Sequence, residues 1–342
     1  MKTPLRILLS LLCAAIVLSM PFFLSSPNML GEVKASMMED SDEEEDEEGE
    51  EIDFGRLLFA SAAAEDLIVE DLEADALSIL PEWTLPLDFS IPPAPDAARF
   101  TEDGYEDESI RVRMETTEDE GVIWHIARIQ IASPTQLRTA TAGKLTSTKT
   151  ALVSKMAEKN HAVIAINGDN YVDAPKKTTF EYRMTQKIRS KSNKKKDILI
   201  IDENGDFHLY VKSEGVADFK GTVVNAFTFG PALIRDGDLL PIDTEYGYNP
   251  NGNEPRSAIG QTGPLSYVFV ICEGRGESSG VNHQKLAEKM AELGCIQAFN
   301  LDGGNSAEMV FNGHLYKGMP GGDERALSDI IYFATAVPDA GE

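Results

Sequence analysis

Residues 267–306 read YVFVICEGRGESSGVNHQKLAEKMAELGCIQAFNLDGGNS, the most informative unit of the chain. Residues 267–271 and 296–301 are short apolar runs bounded by turn residues, the pattern of buried strands. Residues 282–293 between them predict a helix, with Asn282 as its cap, Leu286, Met290 and Leu293 on one face, and Gly294 ending it. A strand–helix–strand unit of this length predicts two parallel and adjacent strands. Their C-terminal ends then lie side by side, bringing Glu273, Gly274 and Arg275 next to Asp302, Gly303, Gly304, Asn305 and Ser306. The same arrangement puts Cys272 and Cys295 at opposite ends of the strand pair. They are then roughly 20 Å apart, too far for a disulfide.

Outward from this unit, further strands are expected at 123–131, 162–166, 198–201, 207–211, 222–229 and 329–334. Asp202-Glu-Asn-Gly-Asp206 separates two of them and reads as a hairpin turn. A calcium loop is disfavoured there, because Phe207 stands where such a loop needs glycine. Many strands and few helices predict an α+β domain with a mixed sheet, not a doubly wound one. That domain is expected over residues 105–338.

The amino-terminal third is different in kind. Residues 1–104 hold 24 acids and 5 bases, a net of −19 out of a total of −26. Such acidity repels a phosphate backbone and argues against nucleic acid as a partner. Residues 7–24 are apolar and uncharged, preceded by Lys2 and Arg6, and suit a bilayer span of ~20 residues. Residues 1–26 are therefore read as a membrane anchor, with a cleaved signal peptide as the alternative. Either puts the remainder outside the cytoplasm, as a single-pass membrane protein or a secreted one. Cys13 is a poor lipidation site because Leu12 precedes it. Residues 27–104 read as a tether: acidic at 39–51, then an amphipathic helix or a plain spacer over 54–80, then a proline-rich linker at 81–95.

The chemistry gathers at the paired loops. Ligands commonly sit at strand ends, and adjacent glycines let backbone N–H groups approach an anion. Two carboxylates beside an arginine suit cleavage of a glycosidic bond to a phosphate. Asn300-Leu-Asp-Gly-Gly-Asn-Ser306, with the helix and Glu273-Gly-Arg275 before it, resembles the signature of the phosphodiester glycosidases. Asn167-Gly168 is similar to that family's Asn-Gly-Gly-aromatic box, and Gly230-Pro231-Ala-Leu-Ile-Arg-Asp-Gly237 to its Gly-Pro segment. Arg256-Ser-Ala-Ile-Gly-Gln261 and Arg325-Ala-Leu-Ser-Asp329 resemble two more of its elements, so the likeness runs over about residues 160–335. The sequence departs from the pattern at Asp169, Asn170, Glu273, Asn305 and Glu308.

The resemblance implies a hydrolase of sugar-1-phosphodiester or related glycosidic linkages in cell-envelope or exopolysaccharide glycans, with no cofactor and no metal. It implies Asp302 as nucleophile or general base, and Glu273, with Asp169 as a substitute, as the acid or second carboxylate. Arg256, Arg275 and Arg325 would hold the phosphate. Asn167, Gly168, Gly303, Gly304 and Ser306 would line the substrate. Implied partners are a carbohydrate or sugar phosphate and, through the N-terminal helix, the membrane.

Other readings compete. A catalytically silent glycan-binding module would use the same loops. Gly276-Glu-Ser-Ser-Gly280 fits the G-x-S-x-G elbow of a serine hydrolase using Ser278, Asp302 and His314, but Glu273 to Arg275 separate it from the strand. Five scattered histidines offer no zinc pattern. Residues 176–196, rich in Lys and Arg (Lys176, Lys177, Arg183, Lys187, Arg189, Lys191 and Lys194 to Lys196), form either a flap for an anionic ligand or a solvated insertion.

Overall fold

In the computed structural model the chain divides into two units, residues 1–75 and 76–342. The structure describes residues 80, 82–169, 179–192, 194–247, 249–317 and 324–338, all within the second unit. The anchor or signal segment, the acidic tether, the 54–79 part of the amphipathic stretch, and Asn170, Lys176 and Lys177 lie outside the described residues. Among the described residues no helix is long and apolar enough to cross a membrane.

The described residues build three main sheets and two α-helices. A nine-stranded sheet runs, in spatial order, Phe100–Thr101, Gly104–Glu106, Ile110–Asp119, Val122–Ile131, Ser266–Cys272, Arg256–Gly263, Gln297–Asn300, Ala232–Arg235 and Asp238–Leu239. One five-stranded sheet is ordered Phe207–Tyr210, Ile198–Ile201, Asn225–Phe227, Phe180–Arg183, Gln186–Ser190. The other is ordered His314–Lys317, Met309–Phe311, Ile164–Asn167, Asp329–Phe333, Leu137–Thr141.

Alternation along the strands decides what each face covers. Tyr267, Phe269 and Ile271 point into a core shared with Ile164, Ile166, Leu199, Ile201, Ile331 and Phe333 from the two smaller sheets. Val268, Val270 and Cys272, on the opposite face, pack with Trp124, Ala258 and Ala298 against Leu286, Ala287 and Met290 of the helix His283–Glu292. Asn282 caps that helix by accepting from the Lys285 N–H at 2.8 Å, and Gly294 follows it at φ +80°. A shorter helix, Val153–Lys159, covers the outer face of the third sheet through Val153, Met156 and Ala157.

Two expectations are corrected. The strands Ser266–Cys272 and Gln297–Asn300 run in the same direction but are not adjacent, because Arg256–Gly263 lies between them and is antiparallel to both. Every strand pairing among the described residues is antiparallel, so the sheets are not mixed. The helical crossover predicts direction, but spanning one intervening strand satisfies it as well as spanning none. Second, the tether reading fails from Trp83 onward. The Trp83 N–H donates to the Ala132 carbonyl at 2.7 Å, the Pro92 carbonyl bonds His161 Nδ1 at 2.8 Å, and residues 100–106 add two strands to the large sheet. Prolines exclude ladder bonds without excluding a segment laid along a folded surface.

Asp202 to Asp206 forms the hairpin turn: Asp202 Oδ1 accepts from the N–H groups of Asn204 and Asp206 at 2.8 and 3.0 Å, and Oδ2 meets His208 at 3.0 Å. Cys272 and Cys295 are both buried free thiols. Cys272 is opposite Arg256, whereas the Cys295 sulfur lies beside Gly260, four residues further along the strand.

Candidate active site

Inserting Arg256–Gly263 into the middle keeps the loops at one edge. Cys272 pairs with Arg256 and Asn300 with Ala258, so the loops after Cys272 and Asn300 flank the start of the central strand. The end of Ile164–Asn167 approaches from the third sheet. The Asn167 side-chain amide donates to the Asp302 carbonyl at 2.7 Å and accepts from the Glu308 N–H at 3.3 Å, while the Gly168 carbonyl accepts from the Asp302 N–H at 3.4 Å. Asn167 is fully buried and thus holds the 302–308 loop by its backbone. Gly168 is required by space: a Cβ there would sit 2.3 Å from the Asp329 carboxylate.

Gly303 and Gly304 pack against the chain, not into open space. A Cβ on Gly303 would lie 2.7 Å from the Pro255 carbonyl oxygen. Gly304 adopts φ +59° and donates its N–H to the same carbonyl at 2.8 Å, so that group is not available to an anion. The turn is bracketed by two guanidinium groups. Arg275, itself at φ +63°, bonds Asn305 Oδ1 at 2.6 Å and pairs with Glu254. Arg325 bonds Ser306 Oγ at 2.8 Å. Both arginine side chains reach solvent, Arg275 with 46% of its side chain exposed.

Arg256 behaves differently. It is 3% exposed and gives its donors to the carbonyls of Asn249, Gly252 and Val281 at 2.7, 2.9 and 3.1 Å and to His283 Nε2 at 2.9 Å. Burial, and then the Arg256 charge, drives the His283 pKa down to about 3. The imidazole is therefore neutral and accepts from the guanidinium. Arg256 thereby clamps the loops beneath the site.

Asp169 is also committed elsewhere. Its Oδ1 pairs with Arg183 at 2.7 Å and its Oδ2 accepts from the Thr228 N–H at 3.0 Å. Arg183 further pairs with Asp329 at 2.8 Å and Glu181 at 3.4 Å, with all four side chains at most 2% exposed. Burial first, then the Asp169 charge, raises Glu181 well above the ordinary carboxylate range. This cluster anchors the strand ends under the site, and it takes Arg183 out of the exposed basic stretch.

Glu273 meets a residue that the sequence reading passed over. His125, fully buried on Val122–Ile131, bonds Glu273 Oε1 through Nε2 at 2.7 Å and Thr116 Oγ1 through Nδ1 at 2.9 Å. Thr116 in turn reaches the Tyr316 hydroxyl at 3.3 Å. The signal available in the sequence was parity: His125 shares the inward face of Ala127, Ile129 and Ile131. In the sequence Glu308 stands out only as a departure from the family pattern. It is 1% exposed, its Oε1 accepts from the Arg325 N–H, and its buried Oε2 has no hydrogen-bond partner among the described residues. Burial, reinforced by Glu324, pushes its pKa up to about 7 despite the opposing effect of Arg325.

The serine-hydrolase arrangement is not assembled. Ser278 is buried, donating to the Glu273 carbonyl at 2.7 Å and accepting from the Ile123 N–H at 3.2 Å, and so closes the 273–278 loop on itself. Among the described residues no group of three or more His, Cys, Asp or Glu side chains is placed to hold a metal ion.

Comparison with known proteins identifies the family. A family model described as phosphodiester glycosidase matches residues 160–334. The chain is 28% identical over 118 residues to the human N-acetylglucosamine-1-phosphodiester alpha-N-acetylglucosaminidase, covering 31% of this chain and 23% of that protein. It is 26% identical over 186 residues to the SPbeta prophage-derived uncharacterized protein YomE of Bacillus subtilis (strain 168), covering 52% of this chain and 29% of that one. It thus spans less than a third of the length of the curated relatives it matches. A solved structure, the zebrafish N-acetylglucosamine-1-phosphodiester alpha-N-acetylglucosaminidase catalytic domain auto-inhibited by its pro-peptide, superposes with a TM-score of 0.53 at 17% identity. It covers 71% of this chain and 87% of that one, a likeness of fold. The matched segment takes in Asn167, Asp169, Arg256, Glu273, Asp302 and Arg325, and more than half of the chain falls within it: the protein belongs to the phosphodiester glycosidase family.

Proposed function

We propose that the chain is an extracytoplasmic hydrolase of sugar-1-phosphodiester or related glycosidic linkages in cell-envelope or exopolysaccharide glycans. One observation carries this reading. The loops of Asp302 and Glu273 leave one sheet edge together, and two solvent-reaching arginines, Arg275 and Arg325, bracket the turn between them.

In this scheme Asp302 attacks the anomeric carbon or takes a proton from the attacking water. The bond from C1 to the phosphate oxygen breaks, water supplies the new C1 hydroxyl, and the phosphate monoester leaves. Arg275 and Arg325 stabilise the leaving charge, a role for which a planar guanidinium suits phosphate. Glu273, oriented by His125, is the second carboxylate. Glu308 is the carboxyl whose surroundings retain a proton near neutrality, the property of a proton donor or store. Asp169 and Arg256 hold the loops in place and do not touch substrate. The amino-terminal apolar segment would tether the enzyme to the membrane, with the folded domain outside.

The test is turnover of a panel of chromogenic sugar 1-phosphodiesters by the purified protein. Hydrolysis lost in Asp302→Asn supports the scheme. Binding without any hydrolysis would replace it with the silent glycan-binding module.

A further inference from the structure

A cavity of about 460 Å³ opens elsewhere on the domain, between residues 89–91, the strand Leu137–Thr141, the 143–146 loop and the end of the helix Val153–Lys159. Among the described residues Leu137–Thr141 is the edge strand of its sheet. The volume falls within the ~300–1,000 Å³ of small-molecule sites.

Its charge is unusual for this protein. Acids outnumber bases 57 to 31 in the chain, yet among the described residues the lining holds Arg138, Lys144, Lys159 and Arg183 and no acid. Arg183 is neutralised by its carboxylates, but Arg138, Lys144 and Lys159 make no ion pair among the described residues. Lys159 at a helix C-terminus has the helix dipole as a partial explanation. Arg138 has none. It is 6% exposed and is held by the Tyr332 hydroxyl at 3.1 Å and the carbonyls of Thr135 and Ser90 at 3.3 and 2.5 Å. These acceptors fix its position and supply no countercharge, although a buried cation ordinarily requires one. Asp88 is held low chiefly by its bonds to Ser90, with Arg138 the last of the causes, and it lines a neighbouring cavity that Arg138 also reaches.

The remaining wall mixes Ile91, Leu145 and Met184 with polar groups: the Thr141 hydroxyl donates to the Gly143 carbonyl and the Asn160 amide to the Met156 carbonyl, each at 2.7 Å, which leaves their oxygens to accept, and Phe89 leaves 46% of its surface exposed at the rim. Hydroxyls, amides and an aromatic face are groups that a pyranose ring uses, and lipid would find too little apolar surface. We propose that this cavity binds an anionic sugar unit, phosphorylated or carboxylated. Its acid group would meet Arg138, Lys144 and Lys159, its hydroxyls Thr141 and Asn160, and its apolar face Phe89. No lining residue belongs to the loops of Glu273 or Asp302, so binding here stands whether or not Asp302 is a catalyst.

The test is calorimetric titration of the full chain, carrying Asp302→Asn so that nothing is turned over, with glucose 1-phosphate, glucuronate, glucose and inorganic phosphate. At least one anionic sugar is expected to bind, at least tenfold more tightly than glucose or inorganic phosphate. Lys144→Glu/Lys159→Glu should weaken that binding at least tenfold. Lys144→Gln/Lys159→Gln, which only removes charge, should weaken it in the same direction by less. Binding that neither double variant changes overturns the proposal. So does glucose binding as tightly as the anionic sugars, or inorganic phosphate matching glucose 1-phosphate while glucuronate fails to bind.

Discussion

The Asn167 side-chain amide donates to the Asp302 carbonyl at 2.7 Å, joining the end of a strand of the third sheet to the loop that leaves the large sheet, 135 positions further along the chain. The same amide accepts from the Glu308 N–H. Asn167→Ala would leave the buried Glu308 N–H unpaired, at a cost of about 1–3 kcal/mol, and would free the part-buried Asp302 carbonyl. Chemical denaturation should show a loss of that order, and turnover should fall more than substrate affinity because Asp302 loses its placement.

Asp302→Asn and Asp169→Asn should separate chemistry from support. The first keeps size and shape, and should abolish turnover while shifting Tm by no more than about 4 °C. The second breaks a buried pair with Arg183, a change that typically costs about 3–5 kcal/mol. Equal destabilisation by both, measured by thermal melting, would mean that Asp302 is a framework residue too.

Arginine-to-lysine exchange should distinguish the guanidinium groups. Arg256→Lys abandons several of four fixed acceptors and should lower stability by about 2 kcal/mol or more. Arg325→Lys, on an exposed side chain, should leave stability within about 0.5 kcal/mol and raise KM or lower kcat for a phosphodiester. The comparison needs denaturation curves and steady-state kinetics on the same preparations.

Glu308 predicts a pH dependence with a definite sign. Its folded pKa, about 7, is above the ordinary 4.5, so the folded state holds the proton more tightly. The stabilisation is full below about pH 4.5 and is lost as pH rises through 7. Glu308→Gln keeps an acceptor for the Arg325 N–H and does not ionise. The variant should match the wild type near pH 4 and exceed it at pH 8 by up to about 3 kcal/mol. Parallel stability–pH curves for the two proteins would show that Glu308 does not titrate in this range.

His125 illustrates what sequence alone could not reveal. It falls on the inward face of a strand, where a satisfied core histidine and a partner for a catalytic carboxylate look identical. Its bond to Glu273 spans 148 residues and depends on Ser266–Cys272 lying beside Val122–Ile131. Arg256 and Arg325 are equivalent as letters, yet one is 3% exposed on carbonyls and the other is exposed beside Ser306.

The strands and the helix on either side of the site, the DENGD hairpin, and the loops that carry Glu273 and Asp302 are legible in the local sequence. Those features follow from local periodicity, caps and turn residues, which act within a few positions. Long-range packing alone makes Arg256–Gly263 separate the two parallel strands, lays Trp83 to Arg99 along the domain, and gives Asp169 to Arg183. Hydrogen-bond partners and burial are set by which distant elements pack together, and a charged side chain can satisfy itself equally well on a neighbour or on a substrate.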